Sequence, residues 1–173
     1  STIKSDFSKP KEFVGALTIS GEKFFLENKK PDINKIIVDG NYIWNIQYPP
    51  AEFGGSPQYG RKKISSSKDS DLMFVILNDP KKFFQKFEVV KNTSSENSTQ
   101  IDLKNKIPSD FKNLRITLDN KSKVIEKIQY NDDLENEVTI VLSQIEFKVK
   151  ISKELFKIKI PKNTQVIELW SHK

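Results

Sequence analysis

Apolar and polar residues alternate along most of this chain. Leu114, Ile116 and Leu118 fall on one side of an extended backbone. So do Val138, Ile140 and Leu142, then Phe147, Val149 and Ile151, then Phe156, Ile158 and Ile160. Successive side chains of a strand point to opposite faces, so this spacing predicts half-buried strands. They fall near 86–91, 99–104, 112–118, 123–130, 136–143, 145–151, 154–160 and 164–169. Turn residues divide them at Asp119-Asn120, Asn131-Asp132-Asp133 and Pro161-Lys162-Asn163. Short spacing without crossover helices predicts antiparallel meanders in a single long, strongly curved sheet.

The first half is less uniform. Ile3 and Phe7, four apart and followed by Pro10, predict the tail of a helix over 1–9. Strands follow at 13–19 and 24–26 across Ser20-Gly21-Glu22, and at 35–38 and 42–46 across Asp39-Gly40-Asn41. Asp-Gly supplies the positive φ that a tight hairpin needs. Residues 49–68 hold Pro49, Pro50, Gly54, Gly55, Pro57 and Gly60 and predict a long irregular connection. Residues 67–78 predict a short helix that is apolar all round between 72 and 77, ended by Asp79-Pro80, with one more helical turn at 81–85.

Composition narrows the function more than the fold. At 173 residues the chain suits one domain, 1–173, able to bury a core. It begins at Ser1 rather than Met, so we expect a processed or trimmed chain. No stretch has the roughly 18–20 apolar residues of a membrane helix. There is no cysteine, which removes disulfides and thiol chemistry. The net charge is +6 and the pI about 9.3, but the positive charge is nearly all lysine; Arg61 and Arg115 are the only arginines. Base reading leans on arginine and on aromatic stacking, so no nucleic-acid partner is expected.

Catalytic chemistry is poorly provided for. The single histidine, His172, excludes a Ser-His-Asp triad and a multi-histidine metal site. The glycines lack phosphate-loop spacing. Glu52, Asp132, Asp133 and Glu135 sit in polar, turn-like segments, where turn carboxylates outweigh an acid–base pair. Neither an enzyme, nor a cofactor, nor a metal is expected. A one-faced sheet and an isolated greasy helix then remain to be explained together. Either they form an ordinary core, or the helix closes an apolar cavity that takes a lipid. The 12 phenylalanines suit both readings.

Motifs in order along the chain resemble the periplasmic outer-membrane lipoprotein carrier family, LolA. They are Ser5-Asp6-Phe7-Ser8, then Gly15-Ala16-Leu17-Thr18-Ile19, then Lys23-Phe24-Phe25-Leu26 before Pro31. The hairpin Ile37-Val38-Asp39-Gly40-Asn41-Tyr42-Ile43-Trp44 follows, then the apolar stretch 72–77, then Leu155-Phe156-Lys157-Ile158-Lys159-Ile160-Pro161. The resemblance implies an open, incomplete antiparallel β-barrel with a short helical lid over a hydrophobic cavity. It implies a periplasmic, monomeric, non-enzymatic carrier that takes triacylated lipoproteins from an inner-membrane ABC transporter to the outer membrane, where an acceptor receives them. An alternative of the same fold is the acceptor itself. On this basis the cavity is expected to be lined by Phe24, Leu26, Ile36, Val38, Trp44 and Ile46. Its floor is expected from Leu114, Ile116, Val138, Ile140 and Leu142, and its lid from Leu72, Met73, Val75, Ile76 and Leu77. The family's arginine at the turn before the aromatic strand is missing: Ser20-Gly21-Glu22-Lys23 stands there, so the lid latch is expected to differ.

Overall fold

The computed structural model describes residues 2–5, 8–64, 80–106, 112–132 and 134–169. The protein is mainly β. Its packing divides it into two compact units, Ser1–Glu12 with Pro80–Lys148, and Phe13–Asp79 with Val149–Lys173. Each holds one curved sheet, and neither sheet closes into a barrel. Two sheets therefore replace the single long sheet expected from the unbroken alternation. Alternation fixes which residues face together; it does not say where one ladder stops and another starts.

The first unit carries seven strands. They are β1 (Thr2–Ser5), β2 (Ser8–Glu12), β8 (Phe87–Ser94), β9 (Ser98–Asn105), β10 (Lys112–Asp119), β11 (Ile125–Asn131) and β12 (Glu137–Val141), in the order β2-β1-β12-β11-β10-β9-β8. Every pairing is antiparallel. A helical turn, α1 (Pro80–Gln85), precedes β8 as expected. The N-terminal helix is overturned. Thr2 to Lys4 pair with β12, Ile3 lying opposite Val138. Ladder hydrogen bonds to a long-range partner outweigh a two-residue helical spacing.

The second unit carries β3 (Val14–Ser20), β4 (Lys23–Lys30), β5 (Asn34–Val38), β6 (Tyr42–Gln47), β7 (Gln58–Lys63) and β13 (Val166–Glu168), ordered β13-β7-β6-β5-β4-β3. The two hairpins at β3/β4 and β5/β6 match the turn signals, and Gly21 (φ 57) and Gly40 (φ 106) take the left-handed conformations those turns require. Strand β7 emerges inside the expected irregular connection. Gln58-Tyr59-Gly60-Arg61 has little apolar alternation, yet it is held by β6 on one side and β13 on the other.

Two further expectations fail. Residues 145–151 and 154–160 alternate but form no ladder; Gln144 (φ 53) and Lys148 (φ 59) turn the chain instead. Lys153–Phe156 is a 3-10 turn, capped by the Ser152 hydroxyl accepting the Glu154 amide. Strand β13 runs parallel to β7, so the sheet is not wholly antiparallel. The expected helix at 67–78, with lid residues Leu72, Met73, Val75, Ile76 and Leu77, lies outside the described residues.

Candidate functional site: two apolar sheet faces

In the second unit, strand register sets three rows across one face. Phe24, Val38, Ile43 and Lys62 form the first row. Leu26, Ile36, Asn45 and Gly60 form the second, and Asn28, Asn34, Gln47 and Gln58 the third. Leu17 and Ile19 of β3 extend the apolar rows, opposite Leu26 and Phe24. Burial falls off from row to row. Phe24 and Val38 are each 1% exposed, Leu26, Ile36 and Asn45 are half-buried, and Gln47 and Gln58 are exposed. Thus four of the six residues expected to line a cavity do share a face: Phe24, Leu26, Ile36 and Val38.

Trp44 and Ile46 lie on the opposite face. Val38 pairs with Ile43, so Trp44 stands across from Ile37 and Ile46 across from Lys35. There Ile37, Trp44, Ile46 and Tyr59 make a buried cluster, packed against Phe25, Tyr42, Tyr48, Ile158 and Val166. This cluster is a core made within the unit, closed by its own C-terminal segment. Asp39 fixes its edge. One carboxylate oxygen accepts the amides of Asn41 (2.8 Å) and Tyr42 (2.9 Å), and the other accepts the Trp44 indole N–H (3.0 Å). Partial burial opposes ionisation of Asp39, but those three donors and the charge of Lys23 outweigh it and hold the carboxyl below its usual range. Arg61 sits over the Tyr42 and Trp44 rings, 4.9 and 5.6 Å from their centroids, and its Nε donates to Glu168.

In the first unit, Leu114, Ile116, Val138 and Ile140 share one face through the chain of pairings Leu114–Leu103, Ile116–Ile101, Ile116–Ile128, Ile128–Ile140 and Tyr130–Val138. Leu142 follows the end of β12 and donates its amide to the Glu126 carbonyl. Leu114 and Ile116 are 1% exposed and Ile128 is fully buried. The opposite face is polar, with Arg115 bonded to Asp102 on the neighbouring strand (2.5 Å).

Sequence reading missed Ile43, Leu17 and Ile19 on one sheet and Ile101, Leu103 and Ile128 on the other. Counting across the Asp39 turn would have found Ile43, because a hairpin's pairings share one sum of residue numbers.

Of the four acidic candidates, Asp132 and Glu135 are committed elsewhere, and Asp133 lies outside the described residues. Asp132 accepts the amides of Leu134 and Asn136 and the Asn136 carboxamide, closing a turn. Glu135 pairs with Lys112. Among the described residues no group of His, Asp and Glu could hold a metal ion, and no helix is long and apolar enough to cross a membrane.

The family model described as outer membrane lipoprotein carrier protein LolA matches residues 2–159. No curated protein matches the sequence.

Proposed function

Because the chain belongs to the LolA family of outer membrane lipoprotein carriers, we propose that it is a periplasmic chaperone that binds lipoprotein acyl chains and shuttles them from the inner to the outer membrane. The family match over residues 2–159 carries this reading. As one carrier domain and a monomer, it receives triacylated lipoproteins from an inner-membrane ABC transporter and yields them to an outer-membrane acceptor. It does no catalysis and uses no cofactor.

The apolar faces supply the physical means. Each methylene moved from water is worth about 0.8 kcal/mol, so a chain of about 15 methylenes resists free transit by about 12 kcal/mol. Phe24, Leu26, Ile36 and Val38 of one sheet and Leu114, Ile116, Val138, Ile140 and Leu142 of the other offer the replacement surface. Trp44 and Ile46 support it from behind their strands.

The test is titration with an environment-sensitive acyl probe. We expect saturable binding, weakened about tenfold by Leu26→Gln or Ile36→Gln, both at half-buried positions, with folding retained. Absence of saturable binding in the wild type overturns the reading. In cells, depletion is expected to strand lipoproteins at the inner membrane; unchanged sorting would point away from shuttling.

A further inference from the structure

The polar end of the β4–β7 face is built for something other than hydrocarbon. Asn28, Asn34, Gln47 and Gln58 stand side by side on four adjacent strands. All four are uncharged carboxamides, and Asn28 Nδ2 donates to Asn34 Oδ1 at 2.8 Å. Directly above them, Asn45 interrupts the apolar second row between Ile36 and Gly60. Its Oδ1 is buried and has no hydrogen-bond partner among the described residues. A half-open depression lies against it, lined by Asn45, Gln47, Gln58, Gly60, Ile167 and Leu169. Gly60 keeps room there for Leu169, whose side chain would meet a Cβ at 3.0 Å.

A buried acceptor without a donor is costly, so its place in the fold calls for an explanation, and a donor carried by a ligand is one that the depression beside it allows. The donor must be neutral or nearly so, since the surrounding side chains are carboxamides and apolar groups. It must also stand at the boundary between a hydrocarbon and a polar group, because Asn45 sits where the face changes from one to the other. We infer that this depression is a subsite for the amide that joins an acyl chain to its polypeptide, with Asn45 Oδ1 accepting the amide N–H. The inference rests on the carrier reading above and specifies its chemistry: hydrocarbon lies toward Phe24 and Val38, and the linkage lies toward Gln47 and Gln58. Ester linkages have no N–H, so they gain nothing from Asn45; they take the exposed carboxamide donors of Gln47 and Gln58.

The experiment compares two ligands, the N-methyl amide and the methyl ester of one long-chain fatty acid, each displacing an acyl probe from the whole chain. Wild type is expected to prefer the amide about tenfold, the scale of one well-placed buried hydrogen bond. Asn45→Leu is expected to bring that ratio to about one by weakening the amide and leaving the ester unchanged. Asn45→Thr, suited to a strand and able to accept a hydrogen bond, keeps part of the preference and serves if the leucine variant fails to melt cooperatively. Equal binding of both ligands by wild type overturns the inference and leaves the carrier reading intact. So does an unchanged ratio in Asn45→Leu. Failure of both ligands to bind overturns the two together.

Discussion

Removing the Asp39 carboxylate tests whether the β5/β6 hairpin owes its register to one side chain. Three donors converge on it: the Asn41 and Tyr42 amides and the Trp44 indole, at 2.8, 2.9 and 3.0 Å. Each such bond contributes about 1 kcal/mol net, and partial exposure trims the sum. Asp39→Ala is therefore expected to cost about 2–3 kcal/mol. Asp39→Asn keeps an acceptor for the two amides but sets an NH2 against the indole N–H, so it is expected to cost about 1 kcal/mol. Urea unfolding followed by circular dichroism at neutral pH gives both values.

The pH dependence separates this account from simple packing. The folded-state carboxyl lies below its ordinary value, so its stabilisation is fully present above the unfolded pKa of about 3.9. It is lost as pH falls through the lower, folded value. The gap between wild type and Asp39→Asn should thus hold from pH 7 down to the unfolded pKa and close as pH falls through the lower, folded value. A cost for Asp39→Ala under about 0.5 kcal/mol, or a gap that stays constant to the lowest pH at which the protein folds, refutes the reasoning.

Other substitutions probe the rest of the fold. Ile128→Ala and Leu114→Ala empty fully packed positions in the first sheet and are expected to cost about 2–4 kcal/mol each in urea unfolding. Gly15→Ala drives a Cβ into the backbone oxygen of Glu27, so a loss of about 2–3 kcal/mol is expected. Gly60→Ala meets only the end of the Leu169 side chain, and a loss under about 1 kcal/mol should vanish in a Leu169→Ala background, as a double-mutant cycle shows. Glu168→Gln removes an exposed ion pair with Arg61 and is expected to shift stability by less than about 1 kcal/mol, less still at high salt.

Much of this was legible in the sequence where pattern and turn chemistry agreed. Leu114, Ile116, Val138 and Ile140 were grouped correctly because each lies on a clean two-residue alternation between Asx-rich turns. Phe24, Leu26, Ile36 and Val38 share a face without such alternation, because residues two apart lie on one side of a strand and Phe24 pairs with Val38 and Leu26 with Ile36. The grouping broke at β6, where Tyr42-Ile43-Trp44 offers apolar residues of both parities and the larger ring drew the assignment. Ile36-Ile37-Val38 is apolar on both faces, so it gave no correction. Residues 145–160 show the opposite failure: good alternation with no partner strand to pair with. The pairings of β1 and β13 were illegible because their partners on β12 and β7 lie 133 or more and 107 positions away in the chain.

The division of β6 between two faces has a functional consequence. A sheet that carries cargo must stay folded while its contents change. Trp44, Ile46, Ile37 and Tyr59 give the second unit a core on one face, closed by Ile158 and Val166 of the same unit. Phe24, Leu26, Ile36 and Val38 stand on the other face and are not among the residues of that cluster. That other face grades from buried Phe24 and Val38 to exposed Gln47 and Gln58. On the reading proposed here, cargo enters from the carboxamide end and displaces little of the packing that holds the strands. Substitutions in the Trp44 cluster should then shift unfolding, whereas those along Leu26, Ile36 and Asn45 should shift binding. A set of variants in which the two measures moved together would show that one apolar mass serves both purposes, and the separation of core from cargo surface would have to be abandoned.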